Sequence, residues 1–334
     1  TAGDKEIRTD VILYVNGIPL VDIECKNPAS FSENWFDAYK QIKTYEQDIS
    51  ELYKYIQIGV AAEQIAKYFA IIPWQEEVRI SEWKEFDKDS IDSTIELFIP
   101  ERLLDIINNF LFYRIEFGEA TKVLPRYMQY RAVNKVVDRV INNIKGKEQK
   151  DKGLIWHWQG SGKTLEMIFA ANKLYRSERM ENPSLFLIID RQDLERQLYE
   201  EFLALELTEP YLIGSIDDMR RVIQHDNGKG KRGIFITLIH MFRPEELDSL
   251  RKELEKMSEK QETILTRKNV VGFIDEGHRT QYGTLAAQMR SILRNAFFFA
   301  FTGTPISKPK LGVDTYEVFS YPPDEKYLDK YFIT

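Results

Sequence analysis

The chain has 334 residues, 43% hydrophobic and 30% charged, the balance of a soluble globular protein of two or three domains. With 46 Lys and Arg against 53 Asp and Glu the net charge is −7, so any nucleic-acid contact must come from local basic patches working against the overall field. The lone cysteine, Cys25, excludes an intrachain disulfide framework, no apolar run is long enough for a membrane span, and the first residues lack the regions of a signal peptide. The expectation is a cytoplasmic protein, and the missing initial Met is read as the mark of a processed or trimmed chain.

In chain order, residues 6–26 hold two β-branched runs around Asn16-Gly17, a strong hairpin signal. Asp10 falls in the first strand, and Glu24 and Lys26 share one face of the second. A two-residue turn would set Asp10 opposite Ile23. A three-residue loop of Asn16, Gly17 and Ile18 sets it opposite Glu24 and is preferred, because it converges two carboxylates and a lysine. Two carboxylates can hold Mg²⁺, the ion can activate a water against a phosphodiester, and a lysine can orient that water or neutralise charge. Residues 35–45 read as a helix with Gln41 and Tyr45 on one face. The set Asp10…Glu24-x-Lys26 with Gln41-x-x-x-Tyr45 resembles the PD-(D/E)xK nucleases, in the branch with a Gln-x-x-x-Tyr helix after the Glu-x-Lys strand. The bland alternative is a surface ion pair on a hairpin.

Core strands are expected at 56–62 and 68–72, with Trp74 and Trp83 packing at a domain edge and a helix from Pro100 to about Phe112. The polar stretch Arg114–Lys122 is taken as the boundary. That gives a nuclease-like domain at 1–115, its N-terminus incomplete, and an ATPase lobe at 120–334.

A helix begins near Tyr127, and its Gln129, taken alone, reads as an exposed helix residue; it resembles the glutamine that superfamily 2 helicases carry about thirty residues before the phosphate loop, whose primary amide can pair with an adenine edge. Residues 143–152 read as a charged, solvated loop. The second half is organised by residues 153–164: an apolar strand from Leu154 to Trp158, the turn Gly160-Ser161-Gly162-Lys163-Thr164, and a helix. This is a phosphate-binding loop in which backbone N–H groups face the phosphates, Lys163 adds a positive charge and Thr164 places a hydroxyl on Mg²⁺. His157 stands where such loops usually have their first glycine.

A buried strand at 184–190 leads through Arg191 into a helix. Arg191 is a candidate DNA contact or part of a helix-capping network. Residues 225–233 form a flexible basic loop that could meet phosphates, with a solvated turn the safer reading. A strand at 234–240 carries Thr237, a second candidate DNA contact, and 244–263 form a charged surface helix. The strand at 269–275 ends in Asp275-Glu276, with Asp275 expected on Mg²⁺ and Glu276 as the base for the water attacking the γ-phosphate. A strand at 295–301 runs into Thr302-Gly303-Thr304, which taken alone reads as an ordinary strand-end turn; it resembles helicase motif III, and that resemblance implies that its hydroxyls couple the nucleotide site to the rest of a motor.

Together the nuclease set, His157-x-Gln159-Gly160-Ser161-Gly162-Lys163-Thr164 and Asp275-Glu276-Gly277-His278-Arg279-x-Gln281-Tyr282-Gly283 resemble the restriction (motor) subunit of type I restriction-modification enzymes. His157 fits that family. The resemblance covers nearly the whole chain. It implies an α/β protein, with a PD-(D/E)xK-like mixed domain followed by a RecA-like lobe with a mainly parallel sheet. It further implies ATP and Mg²⁺ as cofactors, translocation on double-stranded DNA with cleavage, methyltransferase and specificity subunits as partners, and no membrane. A second RecA-like lobe would be missing, residues 319–332 would be a connection leading onward, and the isolated chain would bind ATP weakly. Another superfamily 2 helicase–nuclease, or a non-catalytic DNA clamp, remain the alternatives.

Overall fold

The structure is a computed structural model that describes residues 6–30, 32–116, 118–205, 207–259, 262–275, 289–308 and 313–332. The chain divides into two compact units, residues 1–127 and 128–334.

The first unit is built on a mixed five-stranded sheet of order β1-β2-β3-β4-β5. Its strands are β1 (Val11–Val15), β2 (Ile18–Cys25), β3 (Ile58–Ala62), β4 (Ala66–Ala70) and β5 (Ile80–Ser81). The hairpin turn is the two-residue one: Val15 faces Ile18, and Asn16 and Gly17 take φ of 50° and 82°, the left-handed pair that suits strand twist. The expected three-residue loop is therefore incorrect. A bulge between Leu13 and Tyr14 in the pairing shifts the register by one, so Val11 faces Ile23 and Asp10 comes beside Glu24 all the same.

Helix α1 (Trp35–Asp48) starts at a reciprocal cap. Asn34 accepts from Phe36 N at 2.8 Å and Asp37 accepts from Asn34 N at 3.0 Å. Its Ala38, Tyr39 and Ile42 pack with Ala61 and Phe69 of the sheet into one core. The short α2 (Ser50–Tyr53), α3 (Ser90–Leu97) and α4 (Pro100–Asn109) follow. Trp83 is fully buried, with its ring edge-on to Tyr68, so it belongs to the core and not to an edge; Trp74 is exposed. The stretch taken as the boundary is itself a hairpin, β6 (Phe112–Glu116) with β7 (Glu119–Val123).

The second unit opens with α5 (Tyr127–Ile144) and then alternates strand and helix: β8 (Lys152–His157), α6 (Lys163–Arg176), β9 (Ser184–Ile189), α7 (Gln192–Ala204), β10 (Tyr211–Ile213), α8 (Ile216–Ile223) and the short α9 (His225–Gly228). Next come β11 (Gly233–Leu238), α10 (Pro244–Ser258), β12 (Val270–Asp275), β13 (Phe297–Thr302), the small pair β14 (Ser307–Lys308) and β15 (Val313–Asp314), α11 (Thr315–Phe319) and β16 (Asp329–Tyr331). Seven strands form one all-parallel sheet of order β10-β11-β9-β12-β13-β8-β16. Every residue of β9, β11, β12 and β13 is buried, the mark of a parallel sheet covered on both faces. One sequence expectation changes: the tail read as a connection supplies β16, the strand beside β8. The basic loop at 225–233 begins as a tight turn, with Asp226 and Asn227 left-handed, in line with the safer reading. Among the described residues no helix is long and apolar enough to cross a membrane.

Candidate nuclease and nucleotide sites

In the first unit the Glu24 side chain, like that of Asp22 two residues before it, is buried on the face covered by α1. Asp10 N donates to Glu24 Oε1 at 3.2 Å, and Asp10 Oδ2 accepts from Cys25 N at 2.8 Å, so the two carboxylates are tied together across the hairpin. Gln41 is the hub. Its Oε1 accepts from Lys26 Nζ at 2.6 Å, and its Nε2 donates to Glu24 Oε2 at 2.9 Å and to Tyr45 Oη at 2.6 Å. Tyr45 in turn donates to Arg8 O at 2.9 Å, pinning the segment that enters β1. All five residues predicted for this site thus meet in one hydrogen-bonded set.

Burial, then the nearby Asp22 carboxylate, pushes the Glu24 carboxyl up to about 8. Asp22 was not foreseen. Burial raises it to about 6 against the hydrogen bond from Tyr53, which comes from α2. Its signal was there to read, an acid two residues before Glu24 and so on the same face. Buried carboxyls crowded in this way suit a divalent cation, which takes oxygen ligands and relieves their repulsion. Glu24 fits Mg²⁺ on that ground, and Asp10, an exposed carboxylate whose backbone N–H is bonded to Glu24, would add a second oxygen donor. Among the described residues no set of three or more His, Cys, Asp or Glu is arranged to hold a metal.

In the second unit β8 delivers the chain to the loop at the carboxyl edge of the sheet. Gly160 and Gly162 take φ of 82° and 90°, conformations that disfavour any side chain. Helix α6 starts at Gly162 with no side-chain cap, leaving its first N–H groups to an anion. Ser161 Oγ is buried with no partner among the described residues, and Lys163 Nζ rests on His157 O at 3.3 Å and Trp158 O at 3.5 Å. An uncapped helix start, an orphaned hydroxyl and a lysine resting on carbonyls fit the phosphates of a nucleotide. Thr164 stands in the first turn of α6, partly exposed.

Gln129 is no surface residue. It is buried, and its Nε2 donates to Ser161 O and Gly162 O, both at 3.3 Å. A Cβ on Gly162 would come within 2.4 Å of that amide nitrogen. Asp275 ends β12, next to β13, and is buried. Thr302 ends β13 opposite Trp156 of β8, and its hydroxyl accepts from Thr304 N at 3.1 Å. Gly303 lies so close to the loop that an added Cβ would stand 3.3 Å from Gln159 N and 3.6 Å from Lys163 Nζ. The topology therefore brings Asp275, the Thr302–Thr304 turn and the phosphate loop to one edge. Glu276, with Gly277, His278, Arg279, Gln281, Tyr282 and Gly283, lies outside the described residues. Arg191 is exposed at the start of α7 and makes no capping bond from its side chain. Thr237 is fully buried, its hydroxyl donating to Ile213 O at 3.4 Å, so its side chain faces the interior and not a DNA surface.

Residues 128–334 match the family model described as SWI2/SNF2 ATPase, and residues 1–77 that of the type I restriction enzyme R protein N terminus. Among curated proteins, the putative type I restriction enzyme MjaVIIIP endonuclease subunit of Methanocaldococcus jannaschii is 33% identical over 99% of this chain and 33% of its own length. The type I restriction enzyme HindI endonuclease subunit of Haemophilus influenzae is 34% identical over 95% of this chain and 31% of its own. The chain thus spans about a third of the length of these relatives. Among solved structures, the UvsW helicase from bacteriophage T4 is 15% identical over 61% of this chain and 60% of that one, with a TM-score of 0.37, too low to bear on the site. The chain belongs to the SWI2/SNF2 ATPase family, and with its residues 1–77 matching the N-terminal region of type I restriction enzyme R proteins it is a homologue of type I restriction endonuclease subunits.

Proposed function

We propose that this chain carries the DNA-cleaving domain and the first motor lobe of an ATP-driven, double-stranded-DNA-translocating endonuclease, working with methyltransferase and specificity subunits in the cytoplasm. The observation that carries the reading is the joining, in one chain, of the Asp10–Glu24–Lys26–Gln41–Tyr45 set to a phosphate loop that opens a helix.

Cleavage is hydrolysis of a phosphodiester: a water oxygen bonds to phosphorus, and the bridging ester oxygen leaves with a proton. Asp10 and Glu24 would hold Mg²⁺, which supplies positive charge to the scissile phosphate and acidifies the water. Lys26 is held by Gln41, whose amide links it to Glu24, and from there it can orient the water or balance charge on the phosphate. Tyr45 and Gln41 position these groups and do no chemistry themselves.

For ATP, the N–H groups of Gly160 and of Gly162 to Thr164 would cradle the β- and γ-phosphates, and Lys163 would exchange its carbonyl perch for phosphate oxygens. Thr164 and Asp275 would hold Mg²⁺, and Glu276 takes the proton of the attacking water. Gln129 reads the adenine edge from the loop it already contacts, Thr302 and Thr304 couple the nucleotide to the lobe, and Arg191 meets the DNA backbone. The test is cutting of supercoiled plasmid and ATP hydrolysis by the full-length protein with its partner subunits. Lys26→Ala should abolish cutting and spare hydrolysis, and Lys163→Ala should abolish both. Unchanged cutting by Lys26→Ala would remove the nuclease assignment.

A further inference from the structure

Beneath the phosphate loop lies an ionic group that the scheme above does not use. His157 ends β8 and is fully buried, yet both ring nitrogens meet carboxylates. Its Nδ1 lies 2.8 Å from Glu166 Oε1 and its Nε2 2.8 Å from Asp329 Oδ2. Glu166 belongs to the first turn of α6, and Asp329 opens β16. Asp329 also accepts from Arg131 Nε at 2.9 Å and from Lys135 Nζ at 2.8 Å, both on α5. Strand β8, the strand beside it and the two helices that flank the loop in sequence therefore meet around one imidazole.

A neutral imidazole donates through one nitrogen only, so its other lone pair would face a carboxylate. Burial opposes a charge here, but Glu166 and Asp329 outweigh it and hold the His157 imidazolium above the ordinary histidine range. Burial would likewise raise Asp329, but the hydrogen bonds from His157 and Arg131 bring it down to about 2. The other ionisable neighbours are Lys163, whose ammonium rests on His157 O at 3.3 Å, and Tyr331, whose ring stands edge-on at 5.9 Å. Among the described residues His157 is the partner of the Glu166 carboxylate, whose second oxygen is buried without one. Removing the imidazole would strand a buried charge at the start of α6. The same residue thus ties the helix start through its ring and supports the phosphate-binding lysine through its carbonyl.

We propose that His157 is a positioning residue of the nucleotide site, joining β8, α6 and β16 so that the loop and Lys163 stay placed for the β- and γ-phosphates of ATP. The proposal rests on the reading of residues 160–164 as the ATP loop. His157 touches no nucleotide; it acts through Glu166, Asp329 and Lys163.

The test is steady-state hydrolysis of Mg-ATP by the full-length protein on DNA with its partner subunits, for wild type, His157→Asn, Asp329→Asn and Lys163→Ala. An asparagine at 157 reaches at most one of the two carboxylates, so the KM for ATP should rise about tenfold, with kcat changing less. In Asp329→Asn the imidazolium loses a carboxylate and keeps Arg131 and Lys135 nearby, so it deprotonates at lower pH. Its KM for ATP should therefore begin to climb at lower pH than the wild-type KM does. That profile decides the matter if His157→Asn does not fold, and a purely structural contact would not move it. Lys163→Ala should abolish hydrolysis. If it does not, the ATP-loop reading fails. If it does, but the KM rises less than threefold in His157→Asn and the Asp329→Asn profile runs parallel to wild type, the role of His157 is refuted.

Discussion

Replacing Gln41 by Ala is the sharpest test of the N-terminal site, because one amide links three of its members. The substitution removes the 2.6 Å bond from Lys26, the 2.9 Å bond to Glu24 and the 2.6 Å bond to Tyr45. Hydrogen bonds involving charged groups contribute about 1.5–3 kcal/mol each when buried. Lys26 and Gln41 are only partly buried, so water replaces part of the loss, and a net cost of about 1–3 kcal/mol is expected. That is within the roughly 5–15 kcal/mol margin of a folded domain, so the unit should remain folded. What is lost is placement. Lys26 is released from its Gln41-mediated link to Glu24, and a misplacement of about 1 Å at a reacting centre costs on the order of a hundredfold in rate. Single-turnover plasmid cleavage by the full-length protein with its partners should slow about 10- to 100-fold, while ATP hydrolysis by the same preparation changes less than about twofold. Cleavage within threefold of wild type would refute the relay. Parallel loss of both activities would mean that the substitution acts on folding instead.

Gly162→Ala should weaken ATP binding about tenfold or more, since a φ of 90° strains alanine by about 1–2 kcal/mol and its Cβ would overlap the Gln129 amide; titration with a fluorescent ATP analogue measures it, and cleavage-site geometry should be untouched. The Glu24 carboxyl predicts a pH dependence of stability in chelator. Its folded value of about 8 lies above the ordinary 4.5, so its contribution is fully present below about 4.5 and is lost as the pH rises to about 8. Protection of the β2 amides, corrected for intrinsic exchange, should fall over that window, and Glu24→Gln should flatten the slope; equal slopes in both proteins would count against the raised value.

The local elements were legible because their signals are local. Asn16-Gly17 demands a left-handed turn pair, Gly160 and Gly162 mark backbone that can approach an anion, and the runs 184–189, 234–238 and 270–275 carry the mostly apolar character of strands buried on both faces. The meeting of Asp10 and Glu24 was legible in outcome but not in cause. It comes from a bulge in β2, whose position depends on the pairing of whole strands and not on the turn residues. Burial of Trp83, and of Thr237 away from any DNA surface, depends on which neighbours the fold brings over them.

The residues themselves determined the two chemistries, since a strand-borne Glu-x-Lys and a glycine-rich turn before a helix carry their geometry within a few positions of backbone. Only the tertiary structure decided how those sites are braced. Asp22 and Tyr53 behind Glu24, and above all Asp329 against His157 across 172 positions, are joined by sheet order and packing, which no local spacing encodes. The physical reason is range. Turn and helix preferences act between neighbours in sequence, whereas a buried charge finds its partner only after the core has excluded water and made that partner necessary.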